Sequence, residues 1–294
     1  MLKRKTKLTP LDLILSLLLL LAIVYIVYKI KIGLSYRWNW SAIPQYFFRY
    51  DAEENKWVSN ILMQGFFTTI RLSFWATILA TFVGTLMGLF RVSRSLFRRL
   101  IGGTYVELVR NLPPLVIIFI FYFFVGDQIL PIFGVEEFIR NSSESTQRIV
   151  TVLFARPSLF TAFLSALVTL SIFEGAYITE IVRAGIQSIE KGQWEACAAL
   201  GFTRWQQLRY VILPQAVQRI LPPLAGQFIS TIKDSAIVSV ISIQELTFQG
   251  MELMSATYLT FEIWITITAM YLILTLTCSL AVERLEIYMR KNSV

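Results

Sequence analysis

Apolar residues run through this chain in six long blocks, and charged residues gather in the gaps between them. The blocks are residues 13–28, 61–90, 105–125, 159–182, 221–243 and 261–282. A hydrocarbon core about 30 Å thick takes roughly 20 apolar residues to cross as a helix. Lipid offers no partner to a backbone N–H or C=O, so blocks of this kind must satisfy their own amides by coiling. The predicted fold class is therefore all-α: a polytopic membrane protein with six transmembrane helices. The fifth block is the least apolar, because it holds Lys233 and Asp234. The first follows a basic start, as a secretory signal would. Its length, and the lack of a small-x-small cleavage site after it, favour a retained anchor.

Charge orients the blocks, since cytoplasmic ends carry an excess of Lys and Arg. With the N-terminus placed inside, segments 1–10, 91–104, 183–220 and 284–294 hold sixteen basic residues. Segments 29–60, 127–158 and 244–260 hold eight. The bias predicts both termini in the cytoplasm of a multi-pass protein of the cell inner membrane. The first outer segment is itself basic. Its aromatic cluster, Tyr36, Trp38, Trp40, Tyr46, Phe47 and Phe48, fits an interfacial belt. Segment 127–158 carries Asp127, Glu136, Glu137 and Glu144 and fits a polar outer loop.

Composition agrees with this pattern. Of 294 residues 55% are hydrophobic and only 16% charged, with mean hydropathy +0.61. The net charge of +8 raises the question of nucleic acid. That partner is rejected, because the basic residues sit at the ends of apolar runs, where lipid headgroups lie. Two cysteines and no histidine imply neither a disulfide framework nor a metal site, and they exclude histidine-based catalysis. No cofactor is expected.

Within the second block Ala76, Ala80, Gly84 and Gly88 recur every four residues. That places four small residues on one helix face, where another helix can approach closely. The face serves either intramolecular packing or a subunit interface.

The polar segment 185–220 is the most informative. An alanine-rich helix is predicted from about Trp194 to Leu200, ended by Gly201, which accepts a left-handed conformation. Thr203 can cap the next helix. That helix carries Trp205, Leu208, Val211 and Ile212, and Pro214 is expected to interrupt it. Two short helices with small residues and an exposed glutamate make a rigid knob. On physical grounds it is either a partner-docking element or an amphipathic surface helix.

Specific residues distinguish these. Glu195-Ala196-Cys197, then Gly201, then Ile212-Leu213-Pro214 resembles the EAA loop of ABC importer permeases. The family usually has alanine where this chain has Cys197, a change conservative in size. Ala176-Tyr177-Ile178-Thr179-Glu180-Ile181-Val182-Arg183 looks like the polar amino acid branch of these permeases, as do Gly65 to Ser73, Tyr105 to Pro113, Ile232 to Ala236, and Gln244-Glu245-Leu246. Trp38-Asn39-Trp40 and Arg110-Asn111-Leu112-Pro113 look nearest to glutamate/aspartate-type permeases. The likeness covers about residues 60–285, and residues 1–34 look like an addition.

The resemblance implies a type I importer fold with a cytoplasmic coupling-helix loop. Gly192, Gln193, Glu195, Ala196, Gly201 and Pro214 would form the ATPase-coupling surface. The chain has no Gly-x-x-x-x-Gly-Lys-Ser/Thr phosphate loop, so a separate ABC ATPase would supply the energy. The chain is thus expected to be a transport subunit and not an enzyme. A second permease chain, identical or similar, and an extracytoplasmic solute-binding protein would complete the importer, with membrane lipid around it. The domains follow: 1–60 an anchor helix and outer aromatic segment, 61–285 the permease domain, 286–294 a cytoplasmic tail. An ion-gradient-driven secondary amino acid transporter is the alternative. It needs no such knob and should show matched halves, and no convincing repeat is visible.

Ionisable residues inside a membrane are costly and commonly functional. Arg110, Asn111, Glu174 and Lys233 are candidates for the translocation pathway, with Arg71 a further deep cation. Arg110 and Asn111 precede Pro113-Pro114, a helix break where freed backbone groups can meet a polar solute. Arg110 alternatively snorkels to headgroups. Glu174 and Glu180 lie six apart on one helix, so their faces are opposed. The available cations favour an acidic amino acid as solute, with glutamine also compatible.

Overall fold

The computed structural model describes residues 10–33, 36–53 and 55–291. The basic start at 1–9 and the last residues of the tail, 292–294, lie outside the described residues. The chain forms two units, residues 1–40 and 41–294. In the first, α1 (Pro10–Gly33) is apolar over Pro10–Ile26, at the short end of crossing length. The hydrophobic side chains of Leu11 to Ile26 are exposed on every side of it, as a lipid-facing helix requires. Trp38 stacks on Trp40 at 5.9 Å between ring centres.

The second unit opens with a short antiparallel hairpin, β1 (Phe48–Asp51) and β2 (Lys56–Ser59), with Phe48 opposite Ser59. Eleven helices follow: α2 (Ile61–Arg91), α3 (Leu96–Asn111), α4 (Pro114–Phe123), α5 (Val135–Arg140), α6 (Glu144–Leu153), α7 (Phe160–Gln187), α8 (Lys191–Ala199), α9 (Arg204–Gln206), α10 (Leu213–Asp234), α11 (Leu246–Thr257) and α12 (Thr260–Lys291). Among the described residues five helical stretches are long and apolar enough to cross a bilayer: Ile61–Arg91, Pro114–Phe133, Pro157–Gln187, Arg204–Ile241 and Thr260–Arg284.

Two predicted spans are corrected. The third starts at Pro114 and not at 105. Proline drives the residue before it into extended backbone, so Leu112 (φ −91°, ψ 150°) leaves the helix and α3 becomes a separate element. The fifth is longer than predicted, because Pro214 does not end the helix. A six-residue π-helical stretch, Gln207–Ile212, widens the coil just before it. That widening opens the position where the proline ring would otherwise strike the carbonyl of Tyr210.

Helix α7 lies at the centre of the unit. Sixteen of its residues are buried, against α2, α3, α4 and α10. The small-residue face of α2 is spent on this contact, so intramolecular packing is its role in this chain. A Cβ at Gly84 would meet Ile178 at 2.6 Å, and one at Gly88 would meet Val182 at 2.7 Å. Tyr105 ties α3 to α7 by donating to the Ile172 carbonyl at 2.6 Å, and burial keeps its phenol protonated well above the ordinary range. At the far end of α2, Glu245 caps α11 by accepting from the Phe248 N–H at 2.7 Å. It also accepts from Tyr271 at 2.8 Å and, more distantly, from Thr69 at 3.4 Å. One buried carboxylate thus joins α2, α11 and α12.

Candidate functional site

The segment between α7 and α10 forms a compact knob. Helix α8 spans Lys191–Ala199, starting a turn earlier than the sequence predicts. It ends at Gly201, whose φ of +74° glycine adopts without strain. The Gly201 N–H bonds to the Ala198 carbonyl at 3.0 Å and the Phe202 N–H to that of Cys197 at 3.1 Å, satisfying the helix end. Thr203 then forms a capping box with Gln206. The knob is fastened on its inner side. Cys197 is buried, and Trp194 packs against the apolar cluster of Val182, Ile186, Ile189 and Ile212. The Arg204 guanidinium lies 3.8 Å above the Trp194 ring. Gln215 of α10 donates to Gln193 at 3.2 Å, and Arg219 donates to the Ser188 carbonyl.

The outer side of α8 is left open. Gly192, Gln193, Glu195 and Ala196 are exposed, and a Cβ at Gly192 would touch nothing. Leu200 presents three quarters of its side chain to solvent. Beside Glu195 lies a cleft of about 470 Å3 with Arg91, Arg99, Lys191 and Arg204 in its walls. Of the coupling residues predicted from sequence, five cluster here. Pro214 stands apart, at the start of α10.

The intramembrane candidates fall into two groups around α7, one toward α3 and one toward α10. Arg110, at the end of α3, lies 5.4 Å from the Tyr177 ring centre. Asn111 donates to Glu107 at 2.8 Å. Glu180, on that side of α7, pairs with Arg183 at 2.7 Å and with Arg91 at 3.2 Å. Toward α10, Glu174 is fully buried. One of its oxygens accepts from Gln227 at 2.6 Å, and the other has no hydrogen-bond partner. Asp234 acts on the same carboxylate electrostatically. Lys233 and Asp234 are exposed where α10 tightens into the 3-10 turn Ser235–Ile241. Charged side chains at this depth are not left against acyl chains, so protein or water must cover them in the assembly. Tyr177 and Trp194 enter the sequence reading only as a motif residue and a helix start, and Gln227 and Arg204 do not enter it. A lone glutamine six residues before Lys233 was the only signal available for Gln227.

Residues 80–291 match the family described as the binding-protein-dependent transport system inner membrane component. The chain belongs to this family. It is a multi-pass permease of the inner membrane type. It is 44% identical over 155 residues to the glutamine transport system permease protein GlnP of Escherichia coli (strain K12), covering 51% of this chain and 70% of that one. It is 31% identical over 241 residues to the glutamate/aspartate import permease protein GltJ of the same organism, covering 82% and 90%. A crystal structure of an amino acid ABC transporter with histidines aligns with TM-score 0.60 and 34% identity, over 77% of this chain and 92% of that one. The permease carries no ATP-binding motif of its own, and the family pairs such chains with an ATPase and a substrate-binding protein.

Proposed function

We propose that this permease is the membrane-spanning subunit of an ATP-driven importer that moves glutamate, aspartate or glutamine inward by alternating access. The observation that carries the proposal is the α8 knob, which is anchored rigidly on its inner side and bare on its outer side. A surface of that kind suits a groove on a soluble motor subunit. The names of the relatives supply the solute class. An ABC ATPase docks on Glu195, Ala196, Gly192 and Gln193, and Gly201 fixes the turn that presents them. Pro214 starts the helix that carries the motion onward. A second permease chain covers the exposed charges of α10, and an extracytoplasmic binding protein delivers the solute. Arg110, Asn111, Glu174 and Lys233 line the path. Residues 61–285 form the permease domain, and both termini lie in the cytoplasm.

Co-expression with the ATPase and binding protein tests this. Radiolabelled glutamate uptake should require ATP hydrolysis and be blocked by excess aspartate and not by arginine. Glu195→Lys and Gly201→Asp should insert normally yet lose uptake and ATPase association. Normal uptake by both variants would remove the coupling assignment. Gradient-driven uptake by the chain alone would replace the importer reading with a secondary transporter. A reporter fused after Val294 should read as cytoplasmic.

A further inference from the structure

A second cavity, of about 300 Å3, lies at the end of α2 opposite the knob. Three segments distant in sequence enclose it. Helix α2 supplies Gln64, Thr68 and Arg71. Helix α6 and the connection after it supply Thr151 and Arg156. The turn into α11 supplies Ser242 and Gln244. No Asp or Glu is among its lining residues.

Its charge is therefore one-sided. Arg71 spends two of its N–H groups on carbonyls, those of Thr151 at 2.6 Å and Phe67 at 3.1 Å. Arg156 spends one on the Gln64 side chain at 3.0 Å. A guanidinium has five such donors, so both retain free ones. Neither arginine forms an ion pair among the described residues. The two line the same cavity and lie near enough to repel each other. An anion entering the cavity would relieve the repulsion, and a planar carboxylate matches the fork of each guanidinium. The volume of about 300 Å3 stands at the lower end of the range for small-molecule sites, which suits one amino acid.

We infer that this cavity is a receiving site on the extracytoplasmic side for an acidic amino acid, with Arg71 and Arg156 holding its two carboxylates. The inference rests on the import reading above, and it names a site separate from the mid-membrane charges Glu174 and Lys233. Arg71 sets the floor and is fixed by the backbone it binds. Arg156 is exposed and held by the Gln64 side chain, so it meets the incoming solute first. Gln244, exposed at the rim, is placed to hydrogen-bond a bound carboxylate or ammonium group.

The test is protection from labelling in intact cells carrying the full transporter. Gln244→Cys, in a background lacking Cys197 and Cys278, is exposed to a membrane-impermeant maleimide. Glutamate should slow the labelling, glutamine should do so less, and arginine should not. Adding Arg156→Gln should raise the glutamate concentration for half-protection about tenfold. Ser242→Cys serves as an independent reporter if Gln244→Cys fails to reach the membrane. Protection by the binding protein alone, whatever the solute, would make this a protein-docking surface and overturn the inference. So would equal protection in the Arg156→Gln background, or no protection by glutamate in cells that import it. Absence of ATP-dependent uptake of any polar amino acid would instead overturn the import reading, and glutamate protection would still judge the site by itself.

Discussion

The two ends of this permease are built in different ways. The knob is made by one continuous stretch, from Ser188 to Arg219, and its turn follows local rules of helix ending at Gly201 and capping at Thr203. The arginine-lined cavity at the other end is made by pieces of chain about 90 residues apart, and no local rule predicts their meeting. The surface proposed for a soluble partner is encoded largely locally. The pocket proposed for a solute is encoded by the packing of the whole helical unit. Changes at the knob should therefore act sharply on coupling and leave the cavity alone. Changes in the packing between the ends should disturb both.

The largest effect should come from Glu195→Lys. It should abolish ATP-driven uptake, while glutamate still protects the Gln244→Cys reporter from maleimide. Loss of that protection would mean that the two ends are not separable. Next comes Gly84→Leu, which forces a side chain into Ile178 at the α2–α7 contact. Overpacking of this kind costs about 1–3 kcal/mol, so the detergent-purified protein should lose thermal stability and both ends should suffer. A smaller effect is expected from uncharged substitutions at Gly201, which strain the turn without placing an anion on the docking face as Gly201→Asp does. The left-handed backbone there disfavours a β-branched side chain by roughly 1–2 kcal/mol, whereas asparagine is tolerated. Uptake should rank glycine, then asparagine, then valine, and equal rates for the last two would show that the turn is not under conformational constraint. The smallest change should follow Arg204→Gln, which removes the cation over Trp194, a contact worth about 0.5–1 kcal/mol at a surface. It should loosen the knob, measurable as faster amide exchange in α8, with uptake only slightly reduced.

Much of this architecture was legible in the sequence. The apolar blocks announce the spans, because lipid leaves the backbone no alternative to coiling. Gly201 and Thr203 announce the end of one helix and the start of the next, and both sit where that logic places them. Proline was the main source of error, and in both directions. Pro113 and Pro114 separated a polar helix from a span that hydropathy alone had fused. Pro214, read as a break, is absorbed by the π-helical stretch before it. That compensation involves the hydrogen-bond register of six neighbouring residues, which composition does not record. Gln227, paired with Glu174 across 53 positions, and the partnership of Arg71 with Arg156 depend on helix packing and had no short-range signature.

The stripe of small residues on α2 has a mechanical consequence. With Ile178 and Val182 seated against Gly84 and Gly88, α2 and α7 lack the side-chain cushion that would let them slide or tilt independently. They behave as one strut. Its first turn on α7, at Ala162 and Phe163, walls the arginine cavity, and its last turn, at Ile186 and Gln187, walls the cleft beside the knob. At 28 residues α7 is about 42 Å long. A tilt of about 5° applied by a motor at one end would carry the other end through about 4 Å, roughly the width of a hydrogen-bonded contact. On the import reading proposed above, a displacement of that size would release a carboxylate held by Arg71 and Arg156. The strut would then be a lever, with the motor gripped at one end and the solute at the other.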